Sequence, residues 1–283
     1  MRTVSALVLM LLFKKYRKVY FMDTIKIIDR KQAKIIAHRG GSLELENTIG
    51  AFISSANRSF FGIETDIHVT IDGRFIVYHD DNTSRLLTEN LIVEETDYET
   101  LRNLKFRPYR NRTERIDIKM PCLEEYIDIC KYYNKTCILE IKNTFKKEDL
   151  KKVCDIYKEY GYLDNVIFIA FYIENLLHIK ELYPEANVQF LVDANEEGLY
   201  KRLSARGLDL HVQETKSVQT LMLDFLQSHG IDLDVWDQST DQNLIDECHK
   251  RGMKVNVFTV NTPEEAQKFI DMGADFITSD CLE

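Results

Sequence analysis

The chain lacks a surplus of basic residues. Its 283 residues include 37 Lys and Arg against 46 Asp and Glu, which gives a net charge of −9 at pH 7. Proteins that bind nucleic acid normally carry a basic surplus, so this balance argues against nucleic acid as a main partner. An anionic small molecule would need positive charge gathered locally in its binding site.

The cysteines lack the spacing of a metal finger or a redox motif. There are six, and no two form a CxxC pair; they are Cys122, Cys130, Cys137, Cys154, Cys248 and Cys281. Most of them fall within apolar helix or strand patterns, which is typical of reduced thiols that pack in a core. We therefore expect a cytoplasmic protein.

The N-terminal apolar run, residues 4–13, is too short to cross a bilayer, which takes about 20 residues. No small-residue cleavage site follows it, so we interpret residues 1–33 as a leader and N-terminal extension. A poor signal peptide or a weak membrane anchor is the alternative. We expect little contact with a membrane, and the sequence carries no signal for an oligomeric state.

From residue 34 onward, short apolar runs alternate with helical patterns. Eight strands are predicted to begin near residues 35, 62, 137, 166, 188, 231, 255 and 275. This alternation predicts an α/β fold of the TIM type, a (β/α)₈ barrel over residues 34–283. In such barrels the chemistry gathers at the C-terminal ends of the strands. Near such ends lie His38, Glu64, Asp66, Glu140 and Lys142.

The second predicted strand carries the strongest local signal. Asp72 and Gly73 lie between two alternating apolar runs, which predicts a hairpin with an antiparallel return strand. If these two residues form the loop, Asp66 lies opposite His79. Carboxylates and an imidazole then lie together on the hairpin.

Side chains alternate along a strand, so Glu64, Asp66 and His68 project from one face of this hairpin. Like charges on a buried face are costly unless a cation or a proton compensates them. A divalent metal is therefore the expected partner of this face. The alternative is a polar face exposed to water, which is common in antiparallel sheets. For His68 we expect a packing or supporting role.

Two segments do not fit the repeat. Residues 80–136 hold about two extra elements, including a short helix for which Thr96 and Glu99 form a capping box. The segment also carries the basic residues Arg102, Lys105, Arg107, Arg110, Arg112, Arg115 and Lys119. We predict a small cap over the barrel mouth, with a solvated basic flap as the alternative. Residues 193–213 show no clear pattern.

Several short motifs follow one another along residues 38–280. They are His38-Arg39-Gly40, Glu46-Asn47-Thr48, Glu64-Thr65-Asp66-Ile67, Asp72-Gly73, His79-Asp80, Glu140-Ile141-Lys142, Thr259-Val260-Asn261 and the closing run 273–280. In this order they resemble the glycerophosphodiester phosphodiesterase family. The resemblance implies a (β/α)₈ barrel with a small insertion after His79-Asp80. It implies hydrolysis of glycerophosphodiesters to sn-glycerol 3-phosphate and an alcohol.

The resemblance also implies roles for individual residues. Glu64, Asp66 and Glu140 would bind a divalent metal, Mg²⁺ or Ca²⁺. The acid and base would be His38 and His79, in an order that the sequence leaves open. Arg39 and Lys142 would bind the phosphate. Glu46 would lie close to the metal and the substrate hydroxyls in a supporting role.

These residue types suit the chemistry. A phosphodiester is a stable monoanion, so its hydrolysis needs charge neutralisation, an activated oxygen and a protonated leaving group. Arginine offers a fork to two phosphate oxygens and lysine a point charge. Imidazole titrates near neutrality and can accept or donate a proton.

Two other functions remain as alternatives. One is a phospholipase D-like hydrolase of lysophospholipids or sphingolipids, and the other is a non-catalytic barrel that binds a ligand. The sequence departs from the family pattern at Leu45, Ala170 and Phe258, and we expect these departures to bear on substrate choice. The alcohol side of the substrate is expected to contact the 80–136 segment loosely.

Overall fold

Eight parallel strands form a closed barrel in the computed structural model, which describes residues 23–108, 117–211 and 215–283. The barrel strands are β1 (Lys34–Ala37), β2 (Gly62–Val69), β4 (Thr136–Ile141), β5 (Val166–Ala170), β6 (Asn187–Val192), β7 (Asp232–Trp236), β8 (Val255–Phe258) and β9 (Phe276–Ser279). Strand β1 pairs with both β2 and β9, which closes the barrel. The predicted barrel and its eight strands are confirmed. The predicted leader before residue 23 and the basic residues Arg110, Arg112 and Arg115 lie outside the described residues.

A ninth strand, β3 (Phe75–Val77), runs antiparallel to the end of β2. The predicted register of this hairpin is wrong by one residue, since Ile67 pairs with Val77. The Thr70 N–H donates to the Arg74 carbonyl and the Gly73 N–H donates to the Thr70 carbonyl, each at 2.8 Å. The loop therefore holds three residues, and the third, Gly73, has φ +75°. A three-residue loop with glycine in the left-handed region is the next commonest hairpin connection after the two-residue loop.

The slip moves His79 away from the position opposite Asp66. The Asp66 carbonyl instead accepts a hydrogen bond from the Tyr78 N–H at 3.1 Å. His79 follows two residues after Val77, the last residue of β3, where the chain leaves the sheet. The turn beyond the strand therefore positions this histidine.

Helices cover the outside of the barrel. In the described residues they are α1 (Ile49–Ala56), α2 (Tyr98–Asn103), α3 (Leu123–Tyr132), α4 (Lys147–Glu159), α5 (Ile173–Leu182), α6 (Leu199–Ser204), α7 (Val218–Ser228), α8 (Gln242–Lys250) and α9 (Pro263–Met272). Each long helix packs an apolar stripe on the sheet; in α4 the stripe is Leu150, Val153, Cys154 and Tyr157. The unassigned segment 193–213 contains α6.

Helix caps explain where these elements begin. The run Thr262-Pro263-Glu264-Glu265 has the sequence of a capping box at the start of α9, and Thr262 accepts from the Glu265 N–H at 3.2 Å; Gly273 follows the last turn. Asn47 is of a residue type that favours the N-cap, but Thr48 caps α1. The predicted Thr96 cap is wrong by one residue, because Asp97 caps α2. The side chain of Asn47 is used elsewhere, as described below.

The 80–136 segment shares a small hydrophobic cluster, separate from the main core, with β3, Tyr78 and Leu45. Buried residues in this cluster include Tyr78, Val93, Leu101 and Phe106, and Leu45 also belongs to it. Leu45, which departs from the family pattern, is therefore a packing residue of this cluster.

The described end of the N-terminal extension packs on the barrel. The Ile25 N–H donates to the Cys281 carbonyl at 2.8 Å, and the Ile27 N–H donates to the Glu283 carbonyl at 2.7 Å. Ile27 is buried in the main core. Among the described residues, no helix is both long enough and apolar enough to cross a membrane.

The start of β2 tolerates no side chain. A Cβ at Gly62 would lie 2.4 Å from the Ile138 Cδ1 atom and 2.6 Å from the Thr136 carbonyl. We expect Gly62→Ala to lower the free energy of unfolding by about 1–3 kcal/mol, the usual cost of overpacking. Chemical denaturation measures this change.

Gly50→Ala is the matched control for this prediction. Gly50 is exposed in α1, and a Cβ there would meet no atom closer than 3.8 Å. Alanine should stabilise the helix by about 0.5–1 kcal/mol. Equal denaturation midpoints for wild type and Gly62→Ala would contradict the close approach.

Candidate active site

Three carboxylates converge inside the barrel near the C-terminal ends of β2 and β4. Glu64 and Asp66 lie two residues apart on β2, so they share a face, and Glu140 of β4 pairs with Asp66 in register. One oxygen of each carboxylate lies within 4.8 Å of the others. All three side chains are buried. The strand pattern thus brings three acidic groups to one point.

Neighbouring cations compensate this charge only in part. Burial opposes ionisation of Asp66, but the charges of Lys142 and Arg39 outweigh it and hold the pKa of Asp66 below its usual value. Burial raises the pKa of Glu64, and the charge of Asp66 raises it further. Burial also raises the pKa of Glu140. The cluster can therefore accept more positive charge than its protein neighbours supply.

The donor set fits a divalent cation. The Asp66 Oδ1 atom is buried and accepts no hydrogen bond from the described residues. The Lys142 Nζ atom lies 3.5 Å away, an ion-pair distance. Hard cations such as Mg²⁺ and Ca²⁺ prefer carboxylate oxygens. The residues at this point therefore form a candidate divalent metal site.

Two residues with positive φ hold the carboxylates in place. Asn47, at φ +55°, donates from Nδ2 to the Asp66 Oδ2 atom at 2.8 Å and accepts from the Thr65 hydroxyl at 2.7 Å. Arg39, at φ +49°, donates its backbone N–H to the Glu64 Oε2 atom at 2.7 Å. Left-handed backbone is uncommon outside glycine and clusters at functional sites. The turns that carry these residues orient the acidic cluster.

His38 follows β1 directly and contacts a carboxylate from the end of β9. Its Nδ1 atom lies 2.7 Å from the Asp280 Oδ1 atom, and its Nε2 atom lies 4.0 Å from the Glu64 Oε2 atom. The second oxygen of Asp280 accepts from the Asn261 side chain at 2.7 Å. Burial favours neutral His38, but the hydrogen bond with Asp280 and the charges of Asp280 and Glu64 together outweigh burial and raise the histidine pKa.

His79 also has a carboxylate partner, but in a different setting. Its Nδ1 atom lies 2.6 Å from the Asp80 Oδ1 atom. Arg85 donates to both oxygens of Asp80, at 2.6 and 3.0 Å, and so shares that negative charge. Burial lowers the pKa of His79 and prevails over the nearby carboxylates. The two histidines are thus shifted in opposite directions.

The two predicted phosphate ligands lie beside the acidic cluster. Arg39 donates from Nη1 to Glu46 at 3.0 Å, and its Nε atom lies 3.6 Å from Asp66. Lys142 donates to Glu140 at 2.6 Å. Glu46 also accepts two hydrogen bonds from Arg85, at 2.9 and 2.6 Å. These cations can turn toward an anionic substrate that enters the barrel mouth.

The structure brings all the predicted site residues to one end of the barrel. No role in the site was predicted for several residues that contact them, although these residues lie in the matched motifs. They are Asn47, Asp80, Asn261 and Asp280. Arg85 had no sequence signal. His68 projects toward the same face, but its Nδ1 atom contacts Glu94 at 2.9 Å and it is not part of the acidic cluster.

One further carboxylate lies inside the barrel. Asp234 of β7 accepts from the Asn256 side chain at 3.0 Å, and burial raises the pKa of Asp234 to about 8. It lies outside the group of three carboxylates. Nothing in the sequence indicated that Asp234, a charged residue in an apolar strand, lies near the site.

The barrel fold and the residues of its site are those of a hydrolase that acts on anionic esters. The family model described as "Glycerophosphoryl diester phosphodiesterase family" matches residues 38–283. The chain belongs to this family and is a phosphodiesterase of glycerophosphodiesters.

The relatives agree with this assignment. The glycerophosphodiester phosphodiesterase of Caldanaerobacter subterraneus subsp. tengcongensis is 26% identical over 254 residues, which cover 87% of this chain and 93% of the relative. A phosphodiesterase structure from Oleispira antarctica, in complex with the product sn-glycerol-3-phosphate, has a TM-score of 0.71 at 22% identity, over 88% of this chain and 93% of that chain. A Silicibacter pomeroyi structure has a TM-score of 0.74 at 21% identity, over 88% and 90%. The last two bear on the fold alone.

Binding of a divalent cation should stabilise the protein. A ligand at 100 times its Kd adds about 2.7 kcal/mol, which for a chain of this size raises the melting temperature by about 4–5 °C. We expect this shift with Mg²⁺ or Ca²⁺, and we expect Glu64→Gln and Glu140→Gln each to reduce it. Scanning calorimetry with and without cation measures it.

Asp234→Asn is the matched control, since it removes a buried barrel carboxylate outside the cluster. It should keep the cation-induced shift whatever its own baseline stability. An unchanged shift in both glutamate variants would place the cation elsewhere.

Proposed function

We propose that the protein hydrolyses glycerophosphodiesters to sn-glycerol 3-phosphate and an alcohol, with His38 as general acid and His79 as general base. The observation that carries this order is the contrast between the two histidine–carboxylate pairs. Asp280 is bonded by a neutral amide and keeps its charge beside His38, which favours the protonated ring. Burial lowers the pKa of His79, and its partner Asp80 shares its charge with Arg85. Opposite environments for two titratable groups are the usual sign of an acid–base pair. The product bound to the Oleispira antarctica enzyme supports the proposed product.

Glu64, Asp66 and Glu140 would hold the divalent metal, and Mg²⁺ and Ca²⁺ both suit three carboxylates. When bound, the metal supplies positive charge that neutralises the diester and its transition state. Arg39 and Lys142 would bind phosphate oxygens, the first as a fork and the second as a point charge. Glu46 would keep Arg39 in place through its 3.0 Å hydrogen bond and lie near the substrate hydroxyls.

His79 accepts the proton of the attacking oxygen while a new P–O bond forms. His38 donates its proton to the departing alcohol oxygen while the old P–O bond breaks. Afterwards His79 is charged and His38 is neutral, and exchange with water restores both.

We also propose that residues 34–283 form the catalytic unit, with residues 80–136 as a cap on one side of the mouth. Glu94 of this segment contacts His68 at 2.9 Å and accepts from Asn143 at 3.1 Å. Arg85 reaches Glu46. These contacts support a segment held against the rim. Because all six cysteines are free thiols, and five of them are buried, we propose a cytoplasmic location.

Removing either histidine should abolish most of the activity and leave the fold intact. We expect His38→Ala and His79→Ala each to lower kcat by about 10²- to 10⁴-fold, the usual contribution of a positioned acid or base. His249→Ala is the matched control, because His249 also pairs with a carboxylate, Asp275 at 3.0 Å, but just before β9 at the opposite end of the barrel. Steady-state kinetics on glycerophosphoethanolamine would test this. Near wild-type turnover by either variant would assign that histidine to structure.

The pH profile of kcat/KM should be bell-shaped. Activity rises as His79 loses its proton, below the usual histidine value of 6.5, because its pKa is lowered. Activity falls as His38 loses its proton, above 6.5, because its pKa is raised. Asp280→Asn removes the charge beside His38 and should move the falling limb down by roughly 1 to 2 pH units. A falling limb that stays in place would exclude His38 as the acid.

A further inference from the structure

A cavity of about 410 Å³ opens beside His79 and Lys142. Its wall also includes Phe171 and Tyr172, which follow β5, and Arg206, which follows α6. None of these three residues belongs to the site predicted from the sequence or to the chemistry described above. The cavity therefore extends the site toward a part of the barrel that carries no assigned role.

Arg206 is held in a defined orientation. Its guanidinium carbon lies 5.2 Å from the centre of the Phe171 ring and 4.7 Å from the centre of the Tyr172 ring. The Phe171 ring packs edge-on against Phe258, with 6.3 Å between centroids. The Arg206 carbonyl accepts from the Ile173 N–H at 3.1 Å, which fixes the backbone to the start of α5. These cation–π contacts hold the planar guanidinium, whose N–H groups can bind a ligand as a fork.

Arg206 is half-buried, and the described residues supply it with no counter-charge. Within residues 23–108, 117–211 and 215–283, no carboxylate forms an ion pair with it and no group accepts a hydrogen bond from its side chain. The carboxylates of the cavity already have partners: Asp80 bonds Arg85, Asp81 bonds Asn143, and Glu140 bonds Lys142. A cation that is oriented but unpaired in a cavity is suited to an anion from outside.

The strand register separates Arg206 from the reacting phosphate. Glu140 pairs with Ile169 on β5, and Phe171, on which Arg206 stacks, lies two residues further toward the mouth. Arg39 and Lys142 already supply cations beside the acidic cluster. Arg206 is therefore placed to contact the part of the substrate that extends from the phosphate toward solvent.

We propose that Arg206 determines specificity by binding an anionic group, a carboxylate or a second phosphate, on the departing alcohol of the diester. This inference rests on the proposed hydrolysis of glycerophosphodiesters. The chain as a whole has a net charge of −9, which repels a substrate with two negative charges, so one unpaired arginine at the cavity wall has a large effect on which diesters enter. The same arginine repels purely cationic headgroups. From the sequence we expected the alcohol side of the substrate to contact the 80–136 segment loosely. Phe171, Tyr172 and Arg206 add a further wall of the cavity that this part of the substrate can contact.

The test compares substrates that differ by one anionic group. Glycerophosphoserine and glycerophosphoethanolamine differ by a carboxylate, and glycerophosphoglycerol and its terminal phosphate ester differ by a phosphate. We expect the wild-type kcat/KM to be higher for the anionic member of at least one pair. The pair that shows the larger difference identifies whether the carboxylate or the phosphate is the favoured group.

Arg206→Gln should lower kcat/KM for the favoured anionic substrate by about 10- to 100-fold, mostly through KM, because a hydrogen bond to a charged group is lost. The substrate without the anion should change by less than about threefold. Arg206→Lys keeps the charge but loses the fork, so it should fall between wild type and Arg206→Gln. Arg74→Gln is the matched control, since Arg74 also stacks on a ring, that of Tyr98 at 3.5 Å, but does not line this cavity.

Each possible outcome of this comparison either supports or overturns the proposed role of Arg206. An equal loss on all four diesters would show that Arg206 binds the shared phosphate and would overturn the proposal. No loss on any of them would overturn it as well. If wild type hydrolysed none of the diesters, the proposed function would fail; if it hydrolysed them without an anion-dependent response to Arg206→Gln, only this inference would fail.

Discussion

The repulsion among three buried carboxylates is the constraint on which the rest of the site depends. Glu64, Asp66 and Glu140 lie within 4.8 Å of one another and are hidden from water. Like charges at such distances in a poorly polarisable interior are strongly unfavourable unless other charges or protons compensate them. Arg39 and Lys142 supply part of the compensation, and raised pKa values supply more. Arg39, Lys142 and Asn47 are all arranged around this deficit of positive charge.

The fold could be predicted from the sequence because its signals are local and repeated. Apolar runs of strand length alternate with helical stripes along the whole barrel, and Glu64 and Asp66 share a face through the two-residue period of β2. The sequence-based predictions were wrong where a single residue decides the backbone conformation. Gly73 closes a three-residue loop instead of ending a two-residue one, and Asn47 adopts a left-handed backbone that frees its side chain for Asp66.

Other features of the site could not be read from the chain because they arise only from tertiary neighbours. Arg206 is held by contacts with two rings that follow β5, and these contacts are not visible in the sequence. Asp234 is unusual only because it is buried inside the barrel. Arg85 is a further case. From the 80–136 segment it bonds both Asp80, behind His79, and Glu46, behind Arg39. One side chain of the insertion thus links the partner of the proposed base to the partner of a proposed phosphate ligand.

The seam where β1 meets β9 has a consequence for how the molecule assembles. His38 follows β1 and Asp280 follows β9, so the two partners are separated by 242 positions in the chain and meet only when the barrel closes. Contacts between such distant residues form slowly, because the entropy of closing a long loop must be overcome first. The histidine that we assign as the acid therefore gains its carboxylate only when β9 pairs with β1, whereas Glu64 and Asp66 lie together on one strand.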